Sequence, residues 1–305
     1  MIPRAPSKPI FSIIIPTYSR PIRLSACLKS LTHLDYPCKK LEVIVVNDGG
    51  FDPAQSLIRQ TRKIIPISLY SKARSGPAAT RNFGAKYAKG KYLAFTDDDC
   101  KPDPSWLRCL AARFASAPAS MVGGRTINGL EGNVFAVASQ MVVSYLYAVN
   151  KKQSGHKQFF ASNNFAVPED LFWKTGGFDE TFPLAAGEDR DFCYRWRQNG
   201  YEMNYAPEVI VSHFHDLRFH SFLLQHFNYG QGAFQFYKKL SNRRRGTSPF
   251  QAPSFYLNLL RYPFSCSKSK KSSFLIPLLA ISQLATFSGY MRQRYRSAYQ
   301  DLEIR

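Results

Sequence analysis

The chain has 305 residues, 45% of them hydrophobic, and a formal net charge of +20 at pH 7. That length is too great for a small disulfide-held fold and fits one large α/β domain with an appendage; the apolar share is ordinary for a packed core. The charge is uneven. Residues 216–305 hold 14 basic and 3 acidic side chains, a net +11 in less than a third of the length. Such an excess implies an anionic partner, and the absence of zinc-finger spacing and of an RNP-type aromatic signature turns the expectation away from nucleic acid. Six cysteines (Cys27, Cys38, Cys100, Cys109, Cys193 and Cys266) form no CxxC pair, so a reducing cytosol is expected. The apolar run near the N-terminus is about five residues long and is broken by Pro16, too little for a signal peptide.

Four short apolar runs come first, at 11–16, 41–48, 65–70 and 91–97. They show little polar alternation, as strands buried on both faces do. Helix-length stretches at 20–34, 52–61 and 77–89 separate them. This alternation predicts a mostly parallel sheet covered by helices on both sides. A strand is expected around "SMVGGRTI" (120–127) and an uncharged helix over 134–149, too short for a comfortable membrane span and suited to facing the core or an acceptor. Residues 159–180 read as strand, helix and Gly-Gly turn, 187–200 as a helix, and 204–215 as the last core strand. Trp106, Trp173 and Trp196 fall in helical stretches and are expected in the core or along an acceptor wall.

Composition shifts after Asp216. Residues 219–240 read as a helix with one apolar face, "SNRRRGTSP" as a basic loop, and 272–296 as an apolar segment between "SKSKK" and Arg292, Arg294 and Arg296. Residues 1–216 are therefore taken as the main domain and 217–305 as a basic helical region. For 274–290 three placements stay open: lying in a membrane interface, packing on the core, or spanning.

Ligands of open parallel sheets bind at the carboxyl ends of the strands. The polar residues predicted there are Thr17, Asp48 and the run Asp97-Asp98-Asp99. Three adjacent acids repel by up to about 4 kcal/mol per close pair at an effective dielectric near 20. In an extended segment Asp97 and Asp99 would face one side, about 6.6 Å apart along the backbone. Carboxylates so placed suit a divalent cation, Mg²⁺ or Mn²⁺, which prefer oxygen ligands. Arg81 sits near the start of the helix that opens at Gly76-Pro77, an arrangement that suits anions.

The ordered set "SIIIPTYSRPIRLSACLKSL", "EVIVVNDGG", "GPAATRNFGAKYAKGKYLAFTDDDCKPDPSWL" and "GGFDETFPLAAGEDRDFCYRWRQNGY" resembles the family 2 glycosyltransferases over roughly residues 11–215. The resemblance implies the Rossmann-like GT-A fold, a nucleotide-sugar donor (a UDP-sugar favoured), a Mn²⁺ or Mg²⁺ cofactor and an inverting reaction. It implies that Pro16, Thr17 and Tyr18 line the nucleotide pocket with Arg20 close by. Asp48 would accept from the base or ribose, and Arg81, beside Asn82, would reach the diphosphate. Asp97 would contact ribose or cation and Asp99 the metal, with Asp98 unassigned between donor contact and scaffold. Asp189 is the implied base, with Glu188 its neighbour and Arg190 beside them. His213 is the implied further metal ligand, with His215 in reserve. A QxxRW element, which processive members carry, is not found, so single-residue transfer is expected. The acceptor would be a saccharide or lipid-linked saccharide, met at the cytoplasmic face of an anionic membrane by a peripheral protein. Nucleotidyl transfer on a related sheet and a non-catalytic module for glycan or anionic lipid are the alternatives.

Overall fold

The computed structural model describes residues 9–50, 54–152, 159–182, 186–243, 251–266 and 273–303. The chain divides into two compact units. The first comprises Met1–Gly129, Phe159–Pro183 and Phe192–Phe214; the second comprises Leu130–Gln158, Leu184–Asp191 and His215–Arg305.

The first unit is built on an eight-stranded sheet. Strands β1 (Phe11–Thr17), β2 (Leu41–Asn47), β3 (Ile67–Ser71) and β4 (Tyr92–Phe95) run parallel, with β1 between β2 and β4 and β3 beyond β2. The β-branched residues of β1 and β2 are buried on both faces, as the unbroken apolar runs require, whereas β3, at the edge of the sheet, is buried only at Ile67 and is otherwise partly or fully exposed. Strands β5 (Cys100–Pro102), β6 (Met121–Asn128), β7 (Phe165–Pro168) and β8 (Met203–His213) complete the sheet in the order β3-β2-β1-β4-β7-β6-β8-β5. β7 runs antiparallel to both β4 and β6, and β5 runs antiparallel to β8. The sheet is therefore mixed beyond β4.

Helix α1 (Pro21–Leu31) starts on a proline and buries Leu24, Cys27, Leu28 and Leu31, a stripe of period 3.6. Helix α2 (Ala54–Thr61) follows β2, and α3 (Pro77–Lys86) follows β3. α3 lies close on the sheet because Gly84 carries no Cβ: one placed there would sit 2.8 Å from the Ile14 side chain and 3.1 Å from that of Val46. On the opposite face α4 (Trp106–Ser116) buries Trp106, Leu107, Leu110 and Phe114, with Phe114 stacked on Tyr92 at 3.8 Å between ring centroids. α6 (Glu169–Lys174) and Phe192 of α7 (Glu188–Gln198) complete a cluster with Phe95, Phe165, Phe172 and Phe178. Trp106 and Trp196 are fully buried, and Trp173 is half-buried against Phe172.

The second unit is helical. α5 (Val134–Lys152), α8 (Phe219–Arg243), α9 (Pro253–Cys266) and α10 (Leu275–Glu303) pack around two apolar clusters. Ala138, Leu217 and Phe222 centre one; Tyr145, Leu259 and Leu279 centre the other. Asn133 caps α5, accepting the Ala136 N–H at 3.0 Å while its amide donates to Asp216 and Leu217. α8 and α10 touch through glycines. A Cβ at Gly230 would overlap the Thr286 carbonyl oxygen, and one at Gly289 would overlap that of Phe227. Among the described residues no helix is long and apolar enough to cross a membrane.

Most element bounds fall within a few residues of those expected. The strand expected early in 159–180 is the later, four-residue β7, and the basic segment 244–250 lies outside the described residues. The glycine contacts give a direct check on the second unit. Gly230→Val should lower stability by about 2 kcal/mol or more, because neither backbone can retreat. Gly132→Ala, with open space around it, should stay within about 0.5 kcal/mol of wild type. Urea unfolding of the two variants would decide the point.

Candidate active site

The parallel register puts the ends of β1, β2 and β3 at one edge: Thr17 lies opposite Asn47, and Asn47 opposite Ser71. β4 ends at that edge too, pairing with β1 up to Phe95. Pro16, which has no N–H to donate, falls just past the last β1–β4 pair. After Thr17 the chain turns sharply, with Ser19 at φ 51, the one non-glycine residue with positive φ among those described. The turn brings the first residues of α1 back over the strand end.

Asp97, Asp98 and Asp99 do not continue β4 as extended backbone. The Cys100 N–H donates to the Asp97 carbonyl at 3.1 Å, closing a tight turn. The expected strand spacing between Asp97 and Asp99 therefore does not apply, and the three carboxylates point to different partners. Asp97, partly exposed, accepts from Arg81 Nη2 at 2.7 Å. Asp98 is buried and accepts from the Thr17 hydroxyl at 2.7 Å, with Arg20 Nη1 3.4 Å from its other oxygen. Asp99, also buried, accepts from Arg20 at 3.2 Å and Arg23 at 3.3 Å through Oδ2, while Oδ1 faces His213 Nε2 at 3.2 Å. Asp98 is thus the most enclosed carboxylate of the run.

His213 reaches Asp99 because Cys100 opens β5 and pairs with His213 at the end of β8; the Phe214 N–H also donates to the Asp99 carbonyl at 2.8 Å. Ligand atoms of Asp99, Cys100 and His213 all lie within 4.8 Å of one another. Burial, and then the nearby carboxylates of Asp99 and Asp97, push the Cys100 thiol well up, which disfavours the thiolate; a bound cation would oppose that shift. Burial pulls His213 down, but its hydrogen bond to Asp99 and the charges of Asp99 and Asp97 outweigh it, and the imidazole ends above its ordinary value.

Asp48 holds a neighbouring loop. Its Oδ1 accepts from the Ser75 N–H at 2.9 Å and from Lys72 Nζ at 3.3 Å, and its Oδ2 from the Gly76 N–H at 2.9 Å. Tyr18, partly exposed, lies beneath the Arg74 guanidinium at 4.5 Å. Asn82, next to Arg81 on α3, donates to the Phe178 carbonyl and to Glu180 and accepts the Phe178 N–H.

The acidic helix belongs to the second unit up to Asp191. Gly187, at φ 95, turns the chain into α7, whose first turn carries Glu188, Asp189 and Asp191 where the helix dipole favours acids. Glu188 and Asp191 are buried, and Asp189 Oδ1 accepts the Arg190 N–H at 2.7 Å. Arg190 lies over the Phe236 ring at 5.8 Å.

Sequence reasoning missed Arg23, although it stands three residues after Arg20 and so shares its face of α1. It also missed Thr126 and Asn163, whose side chains meet at 3.1 Å. They reach the site edge because β7 is reversed: the start of β7 pairs with the end of β4. No local pattern carries that orientation.

The family model for glycosyl transferase family 2 matches residues 12–176, and the chain belongs to that family. It is an enzyme that transfers a sugar from a nucleotide-sugar donor. The chain is 28% identical over 229 residues to the glycosyltransferase AglE of Haloferax volcanii, covering 74% of each. It is also 28% identical over 235 residues to the pre-mycofactocin glycosyltransferase of Mycobacterium tuberculosis, covering 76% of this chain and 49% of that longer protein. Among solved structures, the mannosyltransferase PcManGT of Pyrobaculum calidifontis, in complex with GDP-Man and Mn²⁺, is similar at TM-score 0.62 and 20% identity, covering 98% of this chain and 83% of that one. S. aureus TarS 1-349 with UDP-GlcNAc is similar at TM-score 0.54 and 18% identity, covering 94% and 92%. These two likenesses establish the shared GT-A-like fold.

Burial pushes the Asp98 carboxyl up to about 6, against the lowering effects of Arg20 and the Thr17 hydroxyl. The folded state therefore holds this proton more tightly than the unfolded chain. The associated stability is present below about pH 4 and is lost as pH rises through about 6. Asp98→Asn keeps an acceptor for Thr17 and cannot ionise. In EDTA, its melting temperature relative to wild type should rise from about pH 5 to about pH 8. A constant difference across that range would refute the assignment.

Proposed function

We propose that this glycosyltransferase is metal-dependent, inverting and non-processive, and that it moves a sugar from a UDP- or GDP-linked donor to the hydroxyl of a glycan or lipid-linked glycan. The observation that carries this reading is the pairing of Asp99 Oδ1 with His213 Nε2 at 3.2 Å on the carboxyl edge of the sheet. Neighbouring ligands of one octahedral cation bound at about 2.1 Å stand about 3.0 Å apart, so this oxygen and nitrogen fit Mn²⁺ or Mg²⁺. The Mn²⁺ and GDP-Man of PcManGT and the UDP-GlcNAc of TarS support the same reading. The bound cation would supply Lewis-acid stabilisation of the leaving diphosphate.

The protein's own groups do the rest. His213 would serve as a ligand through its neutral imidazole. Arg20 and Arg23, which pair with Asp99, would stand near the phosphate oxygens of a donor held at this edge. Arg81, aimed by Asp97, offers a further contact for the diphosphate, and Tyr18 offers a ring face to the base. Asp48 fixes the loop 72–76 that borders this pocket and presents its backbone to the ribose side. Asp98 holds Thr17 and the turn in place. Asp189, with Glu188 as its neighbour, takes the proton of the acceptor hydroxyl as that oxygen attacks the anomeric carbon. The basic helical region 217–305 meets an anionic membrane surface, on the cytoplasmic face, where a lipid-linked acceptor would be presented.

Nucleoside diphosphate release from a panel of UDP-, GDP- and dTDP-sugars with Mn²⁺ tests the core of this proposal. Asp99→Asn should remove Mn²⁺-dependent donor binding. Asp189→Asn should keep donor binding and lower kcat by about 10²–10⁴-fold. Full turnover in Asp189→Asn would reject it as the base, and full Mn²⁺ dependence in Asp99→Asn would reject the metal assignment.

A further inference from the structure

α10 has two unlike sides. Leu279, Ser282, Gly289 and Ser297 are buried, and Gly289 lets the helix press against α8. The opposite side carries Leu284 at 66% exposure, Phe287 at 50%, Tyr295 at 62% and Tyr299 at 70%. Positions 284, 288, 291, 295 and 299 follow one another by three or four residues, so they form one continuous stripe, with Phe287 beside it. From Leu284 to Tyr299 the stripe runs about 22 Å at 1.5 Å per residue. Arg292, Arg294 and Arg296 are exposed at its C-terminal half, and no acid occurs between Ser273 and Gln300.

We infer that this outer face of α10 is a docking surface for an anionic lipid bilayer, with Leu284, Phe287, Tyr295 and Tyr299 entering the interface and Arg294 and Arg296 pairing with phosphate headgroups. It rests on the reading that the basic region meets a membrane and specifies which face does so. Three features select this occupant. Tyrosine is enriched at the boundary between headgroups and acyl chains, and leucine and phenylalanine line the buried face of interfacial helices. Arginine can lay its stem on apolar surface while its charged end stays at the headgroups. The unopposed positive charge complements an anionic leaflet, whereas a second copy of the chain packed on the same stripe about a two-fold axis would face arginine with arginine. Arg292 is partly engaged within the unit, 5.6 Å over the Phe227 ring, so the burden falls on Arg294 and Arg296. The helix thus lies along the membrane plane with its glycine-lined side on α8.

Sedimentation of the full chain with vesicles tests this surface. Wild type should bind vesicles containing about a third phosphatidylglycerol far better than pure phosphatidylcholine, and added salt should weaken the binding. Arg294→Gln with Arg296→Gln should weaken it by roughly 25-fold, a factor of five for each charge. Tyr295→Ser with Tyr299→Ser should also reduce it, because exposed apolar area is lost. Circular dichroism and nucleoside diphosphate release with a water-soluble acceptor should stay at wild-type levels in both variants. Wild-type binding by both variants would overturn the assignment of α10 and leave a membrane partner standing. No anionic preference in wild type would overturn both. A dimer in solution that either variant dissolves would assign the face to a second chain and overturn the inference.

Discussion

The architecture of the first unit answers to one constraint: three carboxylates in succession at the buried end of a strand. Left together in extended backbone they would repel, and no single side chain could neutralise them. The fold separates them with a tight turn and gives each its own partners. Arg81 comes from α3, Thr17 from β1, Arg20 and Arg23 from the start of α1, and His213 from the end of β8. None of these is local in sequence; Thr17 and Asp98 alone are 81 residues apart. The turn is stable only when the strands bearing its partners are already aligned. The helix starts and strand ends that gather at this edge do so around a centre of negative charge, and that charge is what a cation and a diphosphate-bearing donor would use.

β7 extends the same edge. In a purely parallel sheet only strand ends would reach it. Because β7 runs the other way, the residues that enter it join the ends of β4 and β6, and Asn163 meets Thr126 there. A buried Asn164 braces this corner, accepting from the Trp106 indole at 2.9 Å and donating to the Val209 carbonyl at 3.0 Å. A hydrogen-bonded amide in so apolar a place fixes orientation more strictly than apolar packing does.

Much of this was legible in the sequence. The apolar runs of β1, β2 and β4 announce their burial, and the acids, Thr17 and Arg81 fall where a parallel sheet puts ligand-facing residues. The family resemblance itself is matched by the family model over residues 12–176. Three things were not legible. The turn at Asp97–Cys100 was hidden because acids and a strand end look alike whether the backbone extends or folds back. β5 has only three residues, below the length at which periodicity means anything. The direction of β7 depends on which neighbour it pairs with, a tertiary choice that its residues Phe165–Pro168 do not encode locally. In the second unit α5, α8 and α10 were readable from composition, whereas α9 (Pro253–Cys266) was not read. The glycine contact between α8 and α10 was not legible, because Gly230 and Gly289 are unremarkable until the two helices are seen touching.

Asn82 is bound to the Phe178 backbone through both its donor and its acceptor, and to Glu180 besides. Arg195 adds two further ties, to the carbonyls of Thr175 and Gly177. α3 and the segment 175–180 are in effect one mechanical piece. Were the nucleotide bound at this edge, as proposed above, breathing that releases it would come from elsewhere on the rim. The loop 72–76 is one such place: among the described residues its side-chain ties are the Asp48 carboxylate, the Arg74 contact with the Tyr18 ring and the Thr80 hydroxyl on the Gly76 carbonyl. Amide exchange would register this as a contrast in rates: slow and collective along α3 and 175–180, faster and independent at 72–76.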